Sequence, residues 1–280
     1  MRIINSTEIT KTVENLCKEA NYYLPEDVRC AICKAIDSEI SPTGKDVLSK
    51  LKDNYEVAEK NNMAICQDTG MAVFFVEIGN EVYVEGDNLT EAINKGVALG
   101  YTNGYLRKSI VRDPLNRINT GDNTPAVIHY EYTYGDTIKI TIAPKGFGSE
   151  NMSAIRMFSP SAGVEGIKDF VLETVDSAGG NPCPPIVVGI GIGGNFESCA
   201  TLAKKALTRN IDSSNEDPFY AELEEELLCK INKLGIGPQG FGGTTTALGV
   251  NIETAPTHIA GMPCAVNISC HVTRHKTAII

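Results

Sequence analysis

Apolar residues recur at helical spacing early in the chain. Ile9, Val13, Leu16, Cys17 and Ala20 share one face, following Ser6 and Thr7, whose hydroxyls suit a helix N-cap. Pro25, favoured in a first helical turn, predicts a second helix carrying Val28, Ala31, Ile32 and Ala35. A third, over residues 45–61, places Val47, Leu48, Leu51, Tyr55 and Ala58 on one side. The pattern then shortens to that of strands. MAVFFVEIGNEVYVEG holds two apolar runs around Gly79-Asn80, and AVIHYEYTYGDTIKITIAP holds two around Gly135-Asp136; each predicts a hairpin. Helices near 90–105, 163–177, 196–208 and 218–233, the buried-looking strand 185–191, and apolar runs at 245–253 and 261–270 complete the pattern. Hairpins and helices mix without a regular βαβ rhythm. The expected class is therefore α+β, with mixed, antiparallel-rich sheets flanked by helices. No repeat, low-complexity tract or linker divides the chain, so residues 1–280 are expected to form a single domain.

Charge and cysteine content narrow the function. Against 35 Asp+Glu stand 25 Lys+Arg, a net charge of −10, which leaves no basic face for phosphates and excludes nucleic acid as an expected partner. No run reaches the roughly 18 apolar residues of a membrane span, and the first twenty residues lack the apolar core of a secretory signal. A soluble, cytoplasmic protein is expected. Nine cysteines are an odd number and too sparse for a disulfide scaffold. Some should pack as small apolar groups, leaving others for metal.

Four patterns could carry chemistry. Cys30 and Cys33 have chelating or redox spacing, but they lie within an apparently regular helix with no second pair, and read as core residues. Gly189, Gly191 and Gly194 match a dinucleotide fingerprint after a strand; no second strand ending in an acid follows, and tight strand–helix packing explains them equally well. Cys66, Cys183 and Cys270 sit in Pro/Gly-bounded or strand-end contexts far apart in sequence, as suits a cluster built where several loops converge. Any of them could equally be a buried thiol. Finally, Asn119–Asn123, Lys145–Asn151 and Gly240–Thr246 are polar, glycine-rich segments. With Arg107, Lys108, Arg112 and Arg117 they offer amides and guanidinium forks suited to carboxylates, although ordinary turns and a solvated charged face are the plainer alternative.

Together these segments resemble a known family. Ile65-Cys-Gln-Asp-Thr-Gly70, Asn119-Thr-Gly-Asp-Asn-Thr-Pro125, Gly148-Ser-Glu-Asn-Met-Ser153, Pro182-Cys-Pro-Pro185, Gly189-Ile-Gly-Ile-Gly-Gly194 and Cys270-His271 occur in the order found in iron–sulfur-dependent class I fumarate hydratases. That family includes two-subunit L(+)-tartrate dehydratases, and the chain is similar to their α subunit over essentially its whole length. The resemblance implies a 4Fe–4S cluster held by Cys66, Cys183 and Cys270, with one iron lacking a protein ligand. It implies substrate contacts at Gln67, Asp68, Arg107, Gly146 and Gly148, with Asp68 and His258 catalytic. For Asp68 the plainer reading is a turn residue capping Gly70, and for His258 a satisfied core histidine. The implied activity is reversible hydration of fumarate to malate, or dehydration of tartrate to oxaloacetate, completed by a separate β subunit. A nicotinamide-dependent dehydrogenase and a non-catalytic cluster-binding module are the alternatives. Phe147 departs from the family's glycine run, and Cys199, after the Gly-rich segment, is the main rival ligand.

Overall fold

The first strand, β1 (Arg2–Asn5), ends on the residue that starts the first helix. In the computed structural model, which describes residues 1–280, Asn5 rather than Ser6 is the cap of α1 (Ser6–Tyr22): its Oδ1 accepts from Thr7 N at 2.9 Å. There follow α2 (Glu26–Ser38), α3 (Pro42–Asn61), β2 (Met71–Gly79), β3 (Val82–Glu85), α4 (Leu89–Asn103), β4 (Val127–Thr133) and β5 (Ile138–Lys145). A single turn, α5 (Phe147–Glu150), precedes β6 (Ala154–Phe158), α6 (Gly163–Ala178), β7 (Ile186–Gly194), α7 (Phe196–Ala206) and α8 (Pro218–Asn232). The chain closes with β8 (Ala247–Thr257), β9 (Met262–Ser269) and β10 (Lys276–Ile279). The class is α+β, as the pattern indicated.

The structure divides into two compact units, each assembled from separate stretches of sequence. Unit 1 comprises residues 1–24, 55–147 and 274–280; unit 2 comprises 25–54 and 148–273. In unit 1 a four-stranded sheet runs β10-β5-β2-β4, and β1 pairs in parallel with β3 in a separate ribbon. Neither expected hairpin forms. β2 lies between β4, to which it is parallel, and β5, to which it is antiparallel. The reason lies in the strand's composition. Met71–Val76 is continuously apolar, which suits a strand buried inside the unit rather than an arm of an exposed hairpin, and Ala72, Val73, Phe74 and Val76 are buried. The Gly79 turn bonds instead to the 133–137 turn, with Gly79 N donating to Thr137 O and Glu81 N to Gly135 O, both at 2.9 Å. α1 and α4 cover one face, burying Ile9, Val13, Leu16, Phe74, Val76, Val97, Tyr101 and Ile140.

Unit 2 is built on the sheet β6-β9-β7-β8. α6 and α8 pack on one face through Phe170, Val171, Leu223, Leu227 and Ile231. α7 packs on the other, against β7 and β9. The segment 145–151 leads through the short α5 into strand β6.

Candidate active site

In unit 1 the segment Cys66–Gly70 is fixed from several directions just before β2. Ile65 N donates to Asn21 O, anchoring its start. Asp68 accepts through both carboxylate oxygens: Oδ1 from Gly70 N at 3.1 Å and Oδ2 from Phe147 N at 2.9 Å. Its main-chain oxygen accepts from Arg274 Nη2 at 2.7 Å. Thr69 Oγ1 donates to Arg107 O, and the Tyr101 hydroxyl donates towards the carbonyls of Thr69 and Gly70. Gly70 has φ +76°, and a Cβ there would stand 2.7 Å from the Lys145 backbone, so only glycine fits. Buried Asn123 closes the far side. Its Nδ2 donates to Gly70 O and its Oδ1 accepts from Ser109 N, tying the 119–125 loop to both segments.

Cys66, Gln67, Asp68, Arg107 and Gly146 thus share one neighbourhood of unit 1. Cys66 is half-buried, with Sγ 3.2 Å from Gln67 Oε1. Arg107 is exposed, and its guanidinium makes no ion pair. Asp68 does cap Gly70, as the turn reading held, and it also carries the Phe147 amide. That amide is therefore already engaged, while the Phe147 ring is exposed.

In unit 2 the Cys183 loop is held by the turn at Pro238–Gly240. Gln239 N and Nε2 both donate to Pro184 O, at 2.7 and 2.6 Å. Cys183 has φ +58°, a conformation a cysteine adopts only where its surroundings dictate it. Cys183 O lies 3.0 Å from His271 Nδ1, which brings the Cys183 and Cys270 segments together. Cys183 is exposed and Cys270 half-buried. Gly148 faces this loop, its nearest neighbour being Asn181 O. The adjoining Glu150 pairs with Lys204 and accepts from Asn267 Nδ2, while Ser153 Oγ accepts from Ile268 N, pinning 148–153 to β9. His258 stands exposed beyond the end of β8, with Nδ1 accepting from Ala260 N; it is not a core histidine.

Of the other six cysteines, Cys229 is exposed on α8, and the rest separate clearly. Cys17, Cys199 and Cys264 are fully buried, and burial pushes their thiols up, that of Cys264 to about 12. Cys199 is therefore a packing residue of α7. Cys30 and Cys33 do not form the expected core pair: Cys30 is exposed, its thiol bonded to Glu26, and Cys33 is half-buried. The glycine fingerprint also resolves. Gly189 and Gly191 lie within β7, where a Cβ would come 2.2 Å from Ala203 O and 2.1 Å from Cys199 O, so they admit α7 against the sheet. The N-terminus of α7 is occupied by its own capping box, Asn195 and Ser198.

No group of three His, Cys, Asp or Glu side chains is set to grip a single metal ion. A cluster makes a different demand, because each cysteine binds its own iron. Three loop-borne, solvent-reachable thiols meet that demand in kind, whereas the three buried ones do not. Arg274 and Gln239, which build these loops, escaped pattern reading; each is a lone polar residue whose partners lie far away in sequence. No helix is long and apolar enough to cross a membrane.

A sequence description of fumarate hydratase (fumerase) matches residues 10–279. A Methanocaldococcus jannaschii protein, provisionally named L(+)-tartrate dehydratase subunit alpha, is 45% identical over 273 residues, covering 95% of each chain. The L(+)-tartrate dehydratase subunit alpha of Escherichia coli K12 is 33% identical over 277 residues, covering 98% of this chain and 91% of its own. That of Escherichia coli UTI89 is 34% identical over 274 residues.

Proposed function

The chain belongs to the fumarate hydratase family and is a hydro-lyase, and we propose that it is the α subunit of an enzyme that adds water to, or removes it from, a four-carbon dicarboxylate. On this reading residues 1–280 work as one α-subunit domain, and Cys66, Cys183 and Cys270 hold a 4Fe–4S cluster with one iron left without a protein ligand. The observation that carries it is the coincidence of the family's cysteine positions with the three loop-borne thiols that are reachable from solvent. When bound, such a cluster supplies a Lewis-acidic iron that polarises carboxylate and hydroxyl oxygens.

The chain's own residues supply binding and proton transfer. Arg107, exposed and free of ion pairs, presents a planar fork to one substrate carboxylate. Gln67 and the backbone at Gly146 and Gly148 add polar contacts. Each Asp68 oxygen accepts one N–H, which orients the carboxylate and leaves lone pairs to take or return the proton on carbon. His258 is the second proton-transfer group. A separate β subunit provides groups for the other end of the substrate.

Hydration of fumarate to malate is the family reaction. Dehydration of tartrate to oxaloacetate is the second reading, favoured by the names of the relatives. The deciding experiment assays the anaerobically reconstituted α/β complex on fumarate and L-tartrate in parallel. Serine at Cys66, Cys183 or Cys270 should lose iron and activity together, whereas serine at Cys30, Cys33 or Cys199 should keep cluster absorbance. A wild-type spectrum from Cys183→Ser would overturn the ligand assignment.

A further inference from the structure

Arg274 is buried, with 5% of its surface exposed, yet no carboxylate lies within ion-pair distance of its guanidinium. Its one hydrogen bond runs from Nη2 to Asp68 O, and its Nε is buried without an acceptor. The Tyr101 hydroxyl lies close enough to feel the Arg274 charge, but burial keeps that hydroxyl neutral, and it donates to the Thr69 and Gly70 carbonyls. The acidic group of unit 1 that acts on the same Tyr101 hydroxyl is Asp68, and its carboxylate makes no ion pair with Arg274. That carboxylate already accepts from Gly70 N and Phe147 N. A guanidinium removed from water is strongly disfavoured unless an opposite charge or a full set of acceptors meets its five N–H groups. One carbonyl does not meet them. A neutral donor such as glutamine would tie down the Asp68 carbonyl without that penalty.

We propose that Arg274 is a positioning residue whose unbalanced charge is matched to an anion bound beside the Cys66–Gly70 segment. This rests on the reading of Cys66 and Asp68 given above. The anion has two possible sources: the thiolate-ligated cluster, or a carboxylate of the substrate. Either is held by the same charge, and the same charge explains why the chain leaves it uncompensated.

Two variants separate charge from shape. Arg274→Gln keeps a donor for Asp68 O and removes the charge; Arg274→Lys keeps the charge and loses the fork. In the metal-free full chain, Arg274→Gln should unfold at the wild-type temperature or up to about 4 °C above it, because an uncompensated charge has gone. If the cluster is the anion, the reconstituted Arg274→Gln chain should lose iron to a chelator at least about tenfold faster than wild type, with Arg274→Lys in between. If the substrate is the anion, iron loss is unchanged. KM of the α/β complex for L-tartrate and fumarate then rises about tenfold while kcat moves little. A metal-free Arg274→Gln chain melting several degrees below wild type would overturn the proposal by making Arg274 a structural tie. So would unchanged iron loss together with unchanged KM. A wild-type chain that takes up no iron would refute the cluster assignment instead. Arg274 is then judged with L-tartrate alone, which should raise the melting temperature of wild type and not of Arg274→Gln; equal shifts would sink it.

Discussion

Asp68 holds two backbone amides at once, so its replacement tests chemistry and architecture together. Asp68→Asn keeps one acceptor oxygen, but its NH2 must face either Gly70 N or Phe147 N, donor against donor. Turnover should fall about 10²–10⁴-fold through loss of the proton-transfer group. The iron content of the reconstituted chain should fall far less. Parallel measurement of kcat and iron per chain decides it, and near-normal kcat would move the proton transfer elsewhere. Cys66 and Asp68 stood out because a short motif sets them in recognisable company, and Arg107 because it heads a local basic cluster. Arg274 and Gln239 did not. Each acts on a carbonyl distant in sequence, and a single polar residue carries no periodicity to betray its partner.

Glu39 shows how a buried charge ties distant segments of unit 2. Its carboxylate, just beyond α2, accepts from Ser41 N, Thr244 N and Thr245 N and from the Thr244 hydroxyl. Burial alone would raise its pKa, but these hydrogen bonds outweigh burial and hold it at about 2. A folded pKa below the ordinary value of 4.5 means the stabilisation is complete above that value and is lost as pH falls towards 2. Acid unfolding of wild type should therefore steepen across that window. Glu39→Gln should be less stable at pH 7, by about 1–3 kcal/mol, and flatter below pH 4.5, as followed by urea unfolding against pH. The contact between α7 and β7 makes a second test. Gly191→Ala should lower stability by about 1–3 kcal/mol in denaturant unfolding, because its methyl has no room beside the Cys199 carbonyl. Unchanged stability would return the glycine run to ligand binding. Helices were the readable part of the fold, their faces set by a period that local sequence repeats. Strand pairing was not, because β2 finds β4 and β5 across loops that no turn signal describes.

The chain's separation into two discontinuous units left no linker in the sequence, since the crossings near residues 24, 54, 147 and 273 are single peptide steps within or beside ordered segments. One of them falls inside α3. On the proposed function, α chain alone should accept iron yet show little turnover, and adding the β subunit should restore it. Full activity of α without β would require every catalytic group to lie within these 280 residues. The reconstituted complex should also lose activity in air and regain it with ferrous iron and reductant; activity unchanged by prolonged aeration would rule out an iron without a protein ligand.

The edge strand β10 pairs with β5, Lys276 opposite Ile142 and Ile279 opposite Lys139, and so completes the sheet of unit 1. On the ribosome this strand is made only after residues 148–273 have been added behind β5. At about 5–20 residues per second, that delay is roughly 6–25 s. During it β5 presents an unpaired edge, and the Asp68 carbonyl waits for an arginine not yet synthesised. Nascent unit 1 therefore lives for seconds as an open sheet, the period when a holding chaperone would matter most, and unit 2 waits almost as long for β9, the strand between β6 and β7. Both sheets are thus closed only by strands from residues 262–279, whichever unit was begun first.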